Sequence, residues 1–146
     1  MKDRRRIVFL VDDNMTNLMA GKAILKDDYN VFPIPSGYKL LEILEKVRPD
    51  LILLDIEMPG MNGYETIKKL KAEQKTAGIP VIFLTAGSDT GGEHEGLSLG
   101  AVDYIYKPFS PAPFLERIRD QLLAPEDYDD NARQAARKQT LPAAEP

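Results

Sequence analysis

Asp12, Asp13, Asp55, Thr85 and Lys107 are the side chains of this 146-residue chain whose types and spacing best suit phosphoryl chemistry. Each closes a short apolar run. Ile7–Val11 leads into Asp12-Asp13, Leu51–Leu54 into Asp55, Val81–Leu84 into Thr85, and Tyr104–Tyr106 into Lys107. If the runs are neighbouring parallel strands, three carboxylates, a hydroxyl and an ammonium converge on one sheet edge. Carboxylates crowded in this way repel one another unless a cation sits between them. Oxygen ligands without histidine or cysteine favour a hard cation, Mg²⁺ first and Mn²⁺ next. Lys107 supplies a point charge for a second anionic oxygen, and Thr85 a hydrogen bond for a third. Such a set stabilises charge on a transferring phosphoryl group. A carboxylate can itself be the acceptor, giving an aspartyl phosphate. Singly, Asp12-Asp13 or Asp55 would read as a strand-ending turn or a helix cap. Their joint placement at the ends of four apolar runs argues for a site.

The positioning elements follow from the pattern. Three runs, 7–11, 51–54 and 81–84, are continuously apolar, as strands covered on both faces are. Val31–Ile34 is weaker, and Pro33 cannot donate to a ladder, so this strand belongs at an edge. Asn62 with Glu65 reads as a capping box, and Ser110-Pro111 as an N-cap and first helical position. Leu40, Leu41, Leu44 and Val47 form one helical stripe, and Leu115, Ile118 and Leu122 another; both read as core. The order βαβαβαβαβα predicts a three-layer, doubly wound (βα)5 α/β sandwich. Its expected parallel strand order is the flavodoxin-like 2-1-3-4-5. Sites in such sheets form beyond the carboxyl ends of the strands at the switch point, here between strands 1 and 3.

Composition excludes several classes. The chain is long enough for one domain with spare chain, and its 43% hydrophobic and 29% charged residues are those of a globular protein. A net charge of −4 gives no reason to expect nucleic acid or a membrane as a direct partner. Arg4-Arg5-Arg6 reads as a solvated lead-in to the first strand. The lack of cysteine excludes disulfides and thiolate sites and agrees with a cytoplasmic location. No apolar run approaches the roughly 20 residues of a membrane span, and Ile7–Val11 is too short for a signal peptide.

Four stretches carry a family resemblance: Val11-Asp12-Asp13-Asn14, Asp55-Ile56-Glu57-Met58-Pro59-Gly60-Met61-Asn62-Gly63, Leu84-Thr85-Ala86, and Gly100 to Phe109. In this order and spacing they resemble the CheY-like receiver domain of two-component response regulators, over about residues 5 to 124. The resemblance implies that Asp55 is the phosphoacceptor, supplied by a sensor histidine kinase or a histidine phosphotransfer protein. It implies that Asp13 binds Mg²⁺ directly, that Asp12 assists partly through water, and that the Glu57 backbone carbonyl and Asp55 complete the set. Thr85 resembles the switch hydroxyl, Lys107 the phosphate-binding lysine, and Tyr104 the aromatic that turns inward on activation. The Lys107-Pro108 bond is expected to be cis, which would aim the lysine at the site. Phosphorylation at Asp55 would draw Thr85 in and make room for Tyr104. The surface of the fourth helix, fifth strand and fifth helix would change as a result.

One departure lies in the switching region. Residues 87–96 hold four glycines, each weakening a helix by about 1 kcal/mol. A short, late-starting fourth helix or a plain loop is expected there, with His94 as an exposed loop residue. Glu57 and Gly87 occupy the positions that tune dephosphorylation in the family. The expected domain spans 1–124. Residues 125–146 read as a polar extension, either a solvated tail or a helical linker that dimerises or leads to an output domain. The protein is expected to turn over no metabolite beyond its own phosphorylation and dephosphorylation. The competing reading is a Mg²⁺-dependent phosphatase of the haloacid dehalogenase type, which needs a second Asp where Glu57 stands and a substrate cap. A flavodoxin-like cofactor binder would need a phosphate-cradling loop after the first strand, where Asp12-Asp13 would repel phosphate.

Overall fold

Strand residues alternate their side chains between the two faces of a sheet, so a run apolar at every position must be covered on both sides. The computed structural model, which describes residues 5–86 and 96–122, has this arrangement. Strands β1 (Ile7–Val11), β2 (Asn30–Ile34), β3 (Leu51–Asp55), β4 (Val81–Thr85) and β5 (Asp103–Tyr106) form one parallel sheet in the order β2-β1-β3-β4-β5. Among the described residues, helices α1 (Met15–Leu25), α2 (Gly37–Ile43) and α3 (Gly63–Ala72), the single turn α4 (Gln74–Ala77) and helix α5 (Pro111–Leu122) flank it. The predicted doubly wound sandwich and its strand order are therefore correct. Expectations for Gly87, His94 and residues 125–146 lie outside the described residues.

The core divides along the alternation. Phe9, Val11, Ile52, Leu54, Val81 and Phe83 face Leu40 of α2 and Ile67 and Leu70 of α3. Val8, Leu10, Leu51, Leu53, Ile82 and Leu84 face Leu18 and Leu25 of α1 and Phe114, Ile118 and Leu122 of α5. Each fully buried Leu or Ile contributes about 1.5–3 kcal/mol. A one-residue slip of β3 would exchange its two apolar sets between the faces, so its register is held from both sides. Pro33 sits exposed on edge strand β2, as its missing N–H requires.

The helix caps follow the sequence. Asn62 and Glu65 exchange both capping-box hydrogen bonds, each 2.9 Å. Pro111 opens α5, with the Ser110 carbonyl accepting from the Phe114 N–H. One stripe outruns its helix. Leu44 and Val47 pack on the core, but α2 ends at Ile43. Beyond it, Glu45 and Lys46 donate to carbonyls three residues back, tightening the chain into turns ahead of Pro49. Among the described residues no helix is long and apolar enough to cross a membrane.

Candidate functional site

The carboxyl ends of the strands bring together residues that the sequence keeps far apart. Asp12 leaves β1 with its N–H bonded to the Ile34 carbonyl of β2 at 3.0 Å. Its Oδ1 accepts from the Asn14 N–H at 2.9 Å, and the Asn14 side chain in turn caps α1 through the Asn17 N–H. Asp12 is thereby fixed at 1% exposure, while Asp13 beside it is open to solvent. Asp55 ends β3 at 4% exposure, in the central strand next to β1. One oxygen from each of Asp12, Asp13 and Asp55 can be chosen so that all lie within 4.8 Å of one another.

Lys107 reaches this cluster from beyond β5. Its N–H donates to the Thr85 carbonyl at 2.8 Å, tying it to the end of β4. Its ammonium donates to Asp55 Oδ1 at 3.0 Å and lies 2.9 Å from Asp12 Oδ2. The Asp12 contact is an ion pair rather than an aligned hydrogen bond, and that oxygen is otherwise buried without a donor. The Lys107-Pro108 bond is cis, as the family resemblance implies. Thr85 is buried at the end of β4, one residue beyond Leu84, which pairs in register with Asp55.

Burial pushes the Asp55 carboxyl up to about 6; the Lys107 hydrogen bond opposes the rise and the Asp12 charge adds to it. Burial works against the Lys107 ammonium as well, but the two adjacent carboxylates of Asp12 and Asp55 outweigh it and raise its pKa. One ammonium thus serves two buried carboxylates and leaves a third unserved. A hard dication fits that deficit. The donor set is all oxygen, with one orphaned buried oxygen and one carboxylate open to water. Asp12, Asp13 and Asp55 would hold it, with further oxygens from backbone and water.

The loop from Ile56 to Asn62 is clamped at both ends. The Gly63 N–H donates to the Ile56 carbonyl at 2.8 Å, and a Cβ on Gly63 would lie 2.5 Å from the Asp55 carbonyl oxygen and 2.8 Å from Ile56 Cα. Only glycine lets α3 start this close to the end of β3. The capping box fixes the same junction. The Glu57 carbonyl belongs to this loop, and the Glu57 side chain is exposed.

Tyr104 lies one layer deeper, at 5% exposure. Its ring is tilted on Phe83, with centroids 5.6 Å apart, and Phe83 meets Tyr64 edge-on at 5.4 Å. Arg117 donates to the Tyr104 carbonyl at 2.6 Å and to Asp103 at 2.9 Å. The sequence reading missed Asn14, which links Asp12 to the α1 cap; an Asn just before a helical segment was the available signal. It also missed Phe83 as a partner of Tyr104, because nothing local to either residue announces the contact.

A family model of the response regulator receiver domain matches residues 8–119. The chain belongs to that family. The receiver is 41% identical over 131 residues to a probable cyclic di-GMP phosphodiesterase of Vibrio cholerae, covering 83% of this chain and 30% of that protein. It is 36% identical over 124 residues to the DNA-binding response regulator MtrA of Mycolicibacterium smegmatis, covering 85% of this chain and 53% of that protein. It therefore spans about half or less of the length of these relatives. Among solved structures, a response regulator from Chloroflexus aurantiacus superposes with a TM-score of 0.78 at 30% identity, over 82% of this chain and 98% of the other. The receiver domain of a Pseudomonas aeruginosa sensor histidine kinase, solved with a magnesium ion in its active-site cleft, gives 0.74 at 28% identity, over 81% and 98%. The fold, the family and the role of phosphoacceptor switch are thus those of two-component receivers. Nothing in these matches favours a haloacid dehalogenase-type phosphatase.

Proposed function

We propose that Asp55 of this receiver accepts a phosphoryl group from a histidine phosphodonor, either a sensor histidine kinase or a phosphotransfer protein. The observation that carries the reading is the buried Asp55 carboxylate, 3.0 Å from the Lys107 ammonium and within 4.8 Å of Asp12 and Asp13 oxygens. Mg²⁺, or Mn²⁺ in its place, would be held by Asp12, Asp13, Asp55 and the Glu57 backbone carbonyl. That ion would neutralise charge on the incoming phosphoryl oxygens. Lys107 balances a second oxygen while keeping Asp12 company, and the Thr85 hydroxyl takes a third. The chain's own part is to hold the acceptor in line, keep it buried, and register the added charge.

Tyr104 is the readout in this proposal, its position altering the face built from β5 and α5. The switch domain covers residues 1–124, works in the cytoplasm and turns over no separate substrate. The chain beyond it acts as a tail or a linker. Its output, whether a further domain, another protein or a second copy of itself, is reached through the β5–α5 face and not through direct nucleic-acid or membrane contact.

The test is incubation with Mg²⁺ and acetyl phosphate followed by intact-protein mass spectrometry. An acid-stable, base-labile phosphoryl adduct is expected on the wild type and none on Asp55→Asn. An absent adduct, or one that survives on another strand-end carboxylate in Asp55→Asn, overturns the assignment.

A further inference from the structure

The Tyr104 ring occupies the space that a side chain at position 96 would need. A Cβ on Gly96 would lie 2.0 Å from Tyr104 Oη, 2.7 Å from Tyr104 Cζ and 2.7 Å from Phe83 Cδ2. No real Cβ tolerates such distances, so something must move. The Gly96 backbone is poorly placed to do so. Its carbonyl accepts from both Leu99 and Ala101 at 3.1 Å, Ala101 is buried, and the Val102 N–H is tied to the Val81 carbonyl of β4 at 2.9 Å. Phe83 is fully buried between Tyr64 and Tyr104 and has no free volume to enter. The far end of the Tyr104 side chain is buried too, but rotation about χ1 can carry it away as a unit, so it is the movable part.

We propose that Gly96 is a positioning residue for the switch: its missing side chain is the socket that admits Tyr104. This rests on the reading of Tyr104 as the residue that reports phosphorylation. The inward arrangement then depends on two conditions, space beside Thr85 and space at position 96. A methyl at 96 fills the socket in every phosphorylation state. It removes the difference between states that phosphorylation would act on, and leaves the acidic cluster, which Gly96 does not touch, able to accept a phosphoryl group. Gly96→Ala should therefore separate acceptance of the phosphoryl group from its report.

The experiment uses the full chain labelled with 3-fluorotyrosine, the Tyr104 ¹⁹F resonance being assigned with Tyr104→Phe. A soluble paramagnetic agent broadens exposed rings, and half-exposed Tyr106 serves as the internal reference. The wild-type Tyr104 signal should be protected, whereas in Gly96→Ala and Gly96→Val it should broaden as much as Tyr106, with or without Mg²⁺ and beryllofluoride. The Asp55 adduct from acetyl phosphate should form to the wild-type extent in both variants. Protection of Tyr104 in both variants overturns the proposal. If either variant melts early, the loss caused by the substitution at position 96 should be smaller in a Tyr104→Ala background than in the wild-type background, because most of the clash is with that ring; an equal loss in both backgrounds also overturns it. A wild type that takes no phosphoryl group on Asp55 defeats the proposed acceptor role instead, and the ring-protection result still decides whether Gly96 admits the Tyr104 ring.

Discussion

Asp55→Asn should stabilise the metal-free protein, and the gain should depend on pH in a defined way. Burial raises the Asp55 carboxyl from the ordinary 3.8 to about 6. The folded state therefore holds this proton more tightly than the unfolded chain does. The stability associated with it is fully present below 3.8 and is lost as pH rises through about 6. The span is a little over two pH units, which at about 1.36 kcal/mol each makes an upper bound of about 3 kcal/mol. An amide keeps the shape and can still accept from Lys107, but it carries no charge to desolvate. At about pH 8 without metal, the variant should gain about 1–3 kcal/mol, a rise in melting temperature of roughly 4 °C for each kcal/mol in a domain of this size. At about pH 3.5 the gain should vanish, because the wild-type carboxyl is then protonated in both states. Mg²⁺ should stabilise the wild type by mass action and the variant much less, narrowing or reversing the difference. Differential scanning fluorimetry across pH, with and without Mg²⁺, reads all three effects. Equal melting temperatures at about pH 8 without metal would refute the claim that burial strains the acceptor carboxylate.

Removing the ammonium should do the opposite. Lys107→Ala leaves Asp12 and Asp55 buried without their shared cation. The loss should be about 2 kcal/mol at neutral pH, below the roughly 3–5 of a fully buried pair because Lys107 is 18% exposed. Urea unfolding should show this loss shrinking with added Mg²⁺; a loss indifferent to Mg²⁺ would argue against a cation site beside Lys107. Gly63→Ala drives a methyl into the Asp55 and Ile56 backbone, so overpacking should cost about 1–3 kcal/mol and Mg²⁺ affinity by titration should fall. Unchanged affinity would detach the start of α3 from the metal site. Phe114→Ala opens the α1–α5 side of the core and should cost about 3–5 kcal/mol in urea unfolding while leaving Mg²⁺ affinity unchanged.

What could be read from sequence divides by the range of the interaction. The strands and their edges were legible because burial on both faces leaves runs with no polar position, and because Pro33 can only sit at an edge. The Asn62 cap was legible because both partners lie within four residues. The convergence of Asp12, Asp55 and Lys107 could be inferred from strand order, since each stands at a strand end. The sharing of one ammonium between two carboxylates could not, because it depends on side-chain reach between positions 52 residues apart. The core role of Leu44 and Val47 was legible from the stripe, but the end of α2 at Ile43 was not, because the stripe persists into turns that still face the core. Gly96 was counted as a weak helix former, a local property, whereas its contact is with a ring on β5.

On the proposed function, the close approach of Gly63 to the carbonyl of Asp55 separates a half of the fold that would hold the phosphoryl group from a half that would report it. On the holding side, β3, the 56–62 loop and the start of α3 are locked by backbone contact, a capping box and a hydrogen bond. The acceptor cannot shift there without taking a helix with it. On the other side, the rings of Phe83 and Tyr104 pack against each other and against the bare Cα of Gly96. Substitutions on the two sides should therefore act on different quantities, chemistry on one and output on the other. A chain organised in this way can change what it signals to while keeping how it is charged.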